Sequence, residues 1–396
     1  MKEGWEYSTI GKLCKTYSGG TPLKNVKEYY QDGNIPWLRS GEVCQKYIYE
    51  TEMFITQKGL ESSSAKYYPI NTVVVAMYGA TAAQVGILKI EATSNQAVCG
   101  IIPNSKFLPD FLYYFFCYRK EFLASQAQGG AQPNISQVKI KNLEVPVPSF
   151  SEQQSIVDYL DAVFAKIDAM KANAEKALNE AKALFQKALE ETMVSKKGWE
   201  ENTLGEICEI YGRIGFRGYT TKDLVQSPSD GAISLSPSNI QDGKMDYTKL
   251  TYISWFKYEE SPEIKIFDGD ILLVKTGSSY GKSALVQGLP HEATINPQSV
   301  VLKNCKINKA FFAYQLRTFR VLGEFDHFVS GTAIPTFSQA KLSTVSIQYP
   351  SNDEQQAIVA KLDSLKSKVD RLQANYEKIS QECDALKQAI LRKVFE

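Results

Sequence analysis

A chain of 396 residues, 43% hydrophobic and 22% charged, has material for two ordinary cores and lacks the composition of a disordered segment. Its formal net charge is +1, so any nucleic-acid contact must come from a local basic face and not from the total. No apolar run approaches the roughly 20 residues of a membrane span and MKEGWEYSTI has no signal-peptide core, so a cytoplasmic chain without a membrane partner is expected.

Seven cysteines are scattered without a CxxC pair, and His291 and His327 are the only histidines. A disulfide framework, a zinc site and a histidine-based triad therefore lack material.

Taken in chain order, residues 1–150 open with GWEYSTIGKLC (residues 4–14), followed by the loop SGGTPLKN and the run IPWLRSGEV. TVVVAMY reads as a buried strand, YGATAAQVG as the loop after it, and PDFLYYFFCYRKEFLASQ as a buried helix. These signals predict an α+β module. Residues 151–197 contain no Pro and no Gly and are rich in Ala, Lys, Glu and Leu; they predict one long helix.

The second half repeats the first. GWEENTLGEIC (residues 198–208) matches the opening, GAISLSPSNI from Gly231 matches the stretch from Gly33, and ILLVKTG matches VVVAMYG. GTAIPTFSQ from Gly331 repeats GGAQPNISQ from Gly129, and PSNDEQQAIVAKLD from Pro350 repeats PSFSEQQSIVDYLD from Pro148. NKAFFAYQLRTFRVLGEF is the second buried helix. The domains are thus residues 1–150, a helix over 151–197, residues 198–351, and a helix over 352–396.

In the first long helix Ile156, Leu160, Val163, Ile167, Met170, Ala174, Ala177, Ala181, Leu184 and Ala188 step by four and three. Ile358, Leu362, Leu365, Val369, Leu372, Tyr376, Ile379, Cys383, Leu386 and Ile390 repeat the steps in the second. A period of 3.5 held over about five heptads predicts a coiled coil. Antiparallel pairing is the shorter route for the chain; it sets Ala174, Ala177, Ala181 and Ala188 against Leu372, Val369, Leu365 and Ile358, small against large.

TGSSYGKS (residues 276–283) resembles a phosphate-binding loop, but the first glycine such a loop requires would be at Thr276, and ALVQGLP after it reads as a strand and not a helix. A nucleotide-hydrolysing enzyme is the weakest reading. Its twin YGATAAQVG marks it as a loop that differs between the copies. Different loops on a common frame suit a protein that reads two different half-sites on duplex DNA. Arg can pair with guanine, Gln and Asn with adenine, and lysines with phosphates. A protein-binding scaffold built on the same helices is the alternative.

The motifs SGGTP, IPWLRSGEV, YGATAAQVG, NISQ before VPVPS, GRIGFRGY, and the two helix heads EQQSIVDYLD and EQQAIVAKLD resemble the specificity subunits of type I restriction-modification systems. The resemblance covers nearly the whole chain. It implies two target recognition domains joined by two long helices in an antiparallel coiled coil of pseudo-two-fold form, reading a bipartite asymmetric site. It also implies partners: double-stranded DNA, two methyltransferase subunits that methylate adenine with S-adenosylmethionine, and ATP-dependent restriction subunits. This chain itself would be non-catalytic and hold no cofactor or metal; NPQS (residues 296–299) lacks the second proline and the aromatic ring of an amino-methyltransferase motif.

The residues expected to touch DNA are Ser18, Gly19, Gly20, Thr21, Trp37, Arg39, Ser40, Tyr78, Thr81 and Gln84 in the first module. In the second they are Arg213, Arg217, Tyr219, Lys275, Ser278, Ser279, Tyr280 and Lys282, with phosphate contact expected of the lysines.

Overall fold

The computed structural model describes residues 4–126, 134–329 and 335–396, so the repeat beginning at Gly129 and Gly331 lies partly outside the described residues. The chain forms two compact units, Met1–Glu175 with Tyr376–Glu396, and Lys176–Asn375. Both cuts fall inside the long helices, Phe150–Thr192 and Asn352–Phe395. Each unit is therefore one α+β module with a piece of each helix.

In the first unit the apolar run TVVVAMY becomes the strand Val73–Ala76 at the centre of a five-stranded sheet. The order is Thr16–Ser18, Val98–Ile101, Val73–Ala76, Val85–Leu88, Tyr47–Ile48. This central strand is buried on both faces, which is why the sequence reads as a continuous apolar run. Val73 and Val75 face the helix Pro109–Ser125, joining Phe111, Leu112, Phe115 and Phe116, while Val74 and Ala76 join Leu38, Ile48 and Tyr68 on the other side. A smaller sheet pairs Ile35–Leu38 with Phe54–Ile55 and, in parallel, with Thr93–Ser94. Glu6–Thr9 pairs antiparallel with Glu144–Val147.

The second unit repeats the plan. Glu209–Gly212, Ser299–Lys303, Ile271–Val274 and Ser283–Leu285 form the corresponding sheet. Gly231–Leu235 pairs in parallel with Ala293–Ile295, and Glu200–Thr203 pairs with Ser346–Tyr349. Ile271 and Leu273 face one core, and Leu272 and Val274 the other. The α+β architecture with repeated modules and two long helices is as the sequence implied. One element differs: NKAFFAYQLRTFRVLGEF forms two helices, Lys309–Gln315 and Phe319–Phe328, because Thr318 turns extended and its hydroxyl caps the second at Val321.

Within each unit the two long helices run antiparallel. Ion pairs join Lys171 to Asp384 and Lys387 to Asp168 in the first unit, and Lys196 to Glu354 in the second. The seam differs from the expected one. Leu160, Ile167, Ile358, Leu362 and Val369 are buried, and Ile156, Val163, Leu365 and Ile390 partly so, but Met170, Leu184, Leu372 and Leu386 are exposed. From Leu160 and Ile167 the stripe advances by four and not three, through Phe164, Leu178 and Phe185. The aromatic rings decide this, since they bury the most area. Phe164 packs edge-on against Tyr114 at 5.5 Å, and Phe185 lies 6.3 Å from Tyr314. The register also slides: Lys366 sits 5.9 Å above Phe185, more than a turn beyond the partner that an Ala181–Leu365 pairing would give it.

The repeated EQQ head has a structural cause. Gln153 is fully buried; its Oε1 accepts the Leu108 N–H at 2.8 Å, and its Nε2 donates to the carbonyls of Lys106 and Pro148 at 2.9 and 3.0 Å. Gln355 does the same in the second unit, accepting from Asn308 N–H at 2.8 Å and donating to Pro350 O at 2.8 Å. One turn pair farther along, Tyr114 donates to Asp161 and Tyr314 to Asp363. These bonds fasten the buried helix of each module to the long helix beside it.

Candidate nucleic-acid interface

In the first unit the strand Thr16–Ser18 ends at two buried glycines held to the neighbouring chain by bonds from Gly19 N to Val98 O (3.2 Å) and Gly20 N to Ser94 O (2.8 Å). A Cβ on Gly19 would stand 2.2 Å from Ser94 O, and one on Gly20 2.3 Å from Ala65 N. These glycines are there for close packing, which leaves them no surface for DNA. Trp37, 4% exposed, donates its indole N–H to Gly20 O at 2.9 Å and meets Tyr30 edge-on at 6.0 Å. It braces the loop from within.

Over Trp37, Tyr30 and Met53 lies an open cleft of about 610 Å³. Its rim carries Thr21, Lys24, Lys27, Gln31, Asn95 and Gln96, with Arg39 beside them. Thr21 donates to the Gln96 side chain. Arg39 is occupied by Glu42, 3.4 Å from its Nε, and by Glu52; with the Arg39 N–H to Glu42 bond (2.8 Å) this closes the turn Ser40–Glu42. An arginine so bracketed must leave an exposed carboxylate before it can address guanine. Lys24, Lys27, Gln31, Asn95 and Gln96 were not singled out from the sequence, because two segments far apart in the chain bring them together. Asn95 and Gln96 lie in the short link between the strands Thr93–Ser94 and Val98–Ile101, the second of which pairs with Thr16–Ser18, and that was the available signal.

Tyr78, Thr81 and Gln84 belong to a hairpin between Val73–Ala76 and Val85–Leu88, with a turn at Gly79–Thr81 and Ala83 at φ 67°. Thr81 donates to Tyr78 O at 3.4 Å, and Tyr78 is 36% exposed. None of the three lines the cleft.

In the second unit Arg213 is 6% exposed and turned inward. Its guanidinium donates to Ile295 O (3.2 Å), Thr294 Oγ1 (3.1 Å) and Arg217 O (3.3 Å) and lies 5.2 Å from the Tyr219 ring. Burial pulls its pKa down. Arg217 pairs with Glu263 at 3.2 Å, and the Tyr219 hydroxyl bonds Ser234 at 2.8 Å. Arg213 and Tyr219, expected at DNA, instead hold the loop after the strand Glu209–Gly212; an inward guanidinium surrounded by carbonyls cannot also reach a base.

TGSSYGKS is the tip of a β-hairpin. Val274 N donates to Lys282 O (2.8 Å) and Gly281 N to Val274 O (2.9 Å), with Gly277 and Gly281 at φ 96° and 81°. Gly-Lys-Ser thus leads into the strand Ser283–Leu285 and not into a helix. Tyr280 is pinned by its hydroxyl to Asp326 at 2.7 Å, which raises its pKa. Ser278 and Lys282 are exposed, and Ser279 is half-buried. Lys275 is half-buried, and its ammonium has no hydrogen bond or ion pair among the described residues; burial lowers its pKa.

Among the described residues no group of His, Cys, Asp or Glu is arranged to hold a metal ion, and no helix is long and apolar enough to cross a membrane. The model of the type I restriction modification DNA specificity domain matches residues 2–180 and 196–381, once for each copy of the repeat. The chain belongs to this family of specificity subunits. It is 31% identical over 196 residues to the EcoR124I/EcoR124II specificity subunit of Escherichia coli, a match covering 48% of each chain. It is 27% identical over 385 residues to the MjaIX specificity subunit of Methanocaldococcus jannaschii, covering 88% of this chain and 83% of that one. The EcoKI specificity subunit of Escherichia coli is 22% identical over 419 residues, covering 100% and 89%. A chain solved in work on complex assembly and conformational transition of the type I R-M system shares the fold, with a TM-score of 0.73, 19% identity, and coverage of 100% and 98%. Members named as specificity subunits are non-catalytic, and the methyltransferase and nuclease chemistry lies in other subunits.

Proposed function

We propose that this specificity subunit acts in the cytoplasm as the DNA-reading part of a type I restriction-modification complex, each unit reading one half of a split, asymmetric site. Two methyltransferase subunits would methylate adenine at that site, and restriction subunits would cut in response to it. The observation that carries the reading is a duplicated frame that presents different donors in its two copies. The first unit offers a cleft rimmed by Lys24, Lys27, Gln31 and Asn95; the second offers Lys275, Ser278 and Lys282 around a hairpin. Ser18, Ser40, Tyr78, Thr81, Gln84 and Ser279 remain further candidates for phosphate or base contact. The paired helices set the number of base pairs between the half-sites.

Footprinting of the complex with its methyltransferase partner tests this. Protection of two short segments separated by an unread gap is expected, with affinity falling steeply as salt rises. Deleting seven residues from both long helices should change the gap and leave both half-sites as they were. One continuous footprint, or altered half-sites in the deletion, would count against the reading.

A further inference from the structure

Lys275 and Met77 occupy the same place in the two units. Each follows the central strand of its sheet, Ile271–Val274 or Val73–Ala76. Lys275 N donates to Gln298 O at 2.8 Å and its carbonyl accepts from Phe337 N at 3.2 Å; Met77 N donates to Ala97 O at 2.7 Å and its carbonyl accepts from Ile135 N at 2.8 Å. Met77 is buried in the core. The second unit thus places an ammonium where its twin places a thioether. We propose that Lys275 is a base-reading residue of the second unit, donating to the O6 and N7 acceptors of a guanine in the half-site that this unit reads. This rests on the DNA-reading function proposed above.

Three features carry the assignment. First, the ammonium has three donors and no acceptor among the described residues, an arrangement that costs stability and is relieved when a ligand supplies oxygen or nitrogen. Second, its surroundings are amides and a glycine and not carboxylates. A Cβ on Gly212 would stand 3.8 Å from Nζ and 3.4 Å from Gln339 Oε1, so the absent side chain leaves the approach open. The Gln339 amide nitrogen is held by Ile210 O. Third, the residue is not shared. Both units must track the same phosphate backbone, so phosphate contacts belong to the common frame, whereas a donor present in one unit alone belongs to the part that tells one sequence from another. The base assignment for Lys275 replaces the phosphate contact expected of it from sequence.

The test is selection from a randomised duplex library by the complex with its methyltransferase partner, wild type against Lys275→Met. The variant carries the residue of the twin position and is expected to fold, with an unchanged or raised melting temperature. Guanine preference at one position of one half-site should fall about 10- to 100-fold, with every other position unchanged. Lys275→Gln should move the preference at that position from guanine toward adenine, which gives a second reading through a polar side chain. Uniform weakening on all sequences with a shallower salt dependence would mean a phosphate contact and overturn the assignment, as would unchanged selectivity in both variants. A wild-type complex that selects no bipartite site would overturn the DNA-reading function and this inference with it; a wild type that selects one, matched by its variants, would remove this inference alone.

Discussion

The two units spend the same sequence frame differently. Gln153 and Gln355 make matching bonds at the heads of the long helices, and Tyr114–Asp161 matches Tyr314–Asp363. At the sheet edge the units part: Met77 stands where the second unit has Lys275, Ser18 where it has Gly212, and the strand matching that of Trp37 carries Ser234 and Leu235, with the inward Arg213 bonded to Ile295 O beside it. Identical bonds mark what each copy needs in order to fold. Unlike residues at one backbone position mark where a copy is free to acquire its own preference.

The largest expected effect tests the seam that both units share. Phe185→Ala should destabilise the second unit by about 3–5 kcal/mol, because the ring fills the core beside Tyr314. Leu184→Ala, one residue earlier and exposed, should change stability by less than about 0.5 kcal/mol. Urea unfolding of the chain separates the two; equal losses would restore the seam read from the sequence. Next comes the glutamine clamp. Gln355→Ala leaves the Asn308 N–H and the Pro350 carbonyl without their partner and should cost about 3 kcal/mol, and Gln153→Ala at least as much, since that side chain serves one carbonyl more. A loss in only one unit would show that the matching bonds do unequal service.

The smallest effect concerns the position where the units differ, and it depends on pH. Burial lowers the pKa of Lys275 in the folded chain, and no charged group offsets it. The ammonium therefore weakens the fold fully while it is charged in both states, below the folded pKa. The penalty shrinks as pH rises toward the ordinary lysine value near about 10.4, above which it is absent. Lys275→Met should raise the melting temperature by about 1–2 °C at pH 7–8, with the gain vanishing at high pH. Lys46 in the first unit makes the opposite case. Burial alone would lower its pKa, but Asp161 and Asp110, at 2.6 and 2.9 Å, outweigh it and raise it, so its contribution persists at neutral pH and is lost only as pH climbs past the lysine range.

The repeat, the α+β modules and the long helices were legible because each leaves a periodic trace in the chain. The seam was half legible: Leu160, Ile167, Leu362 and Val369 lie on it, but steps of three and four leave two neighbouring stripes, and only the packing of Phe164 and Phe185 chooses between them. The site was less legible. Residue type showed that Arg213, Trp37 and Tyr280 could meet DNA, but not that Ile295 O, Gly20 O and Asp326 already hold their donors. Lys24, Gln31 and Asn95 were overlooked because their neighbourhood is made by folding alone.

Phe395 lies in the core of the first unit, its ring 5.5 Å from Phe111 and 5.5 Å from Tyr118, with Leu391 and Val394 beside it. That core mixes residues from the beginning of the chain with residues made after the whole second module. During synthesis the first module must wait, with Phe111, Phe115 and Tyr118 lacking their cover, while the second is translated and can complete its own core from contiguous sequence. The first unit's core is thus complete only once the last residues of the chain are made, whereas the second unit draws its core from contiguous sequence.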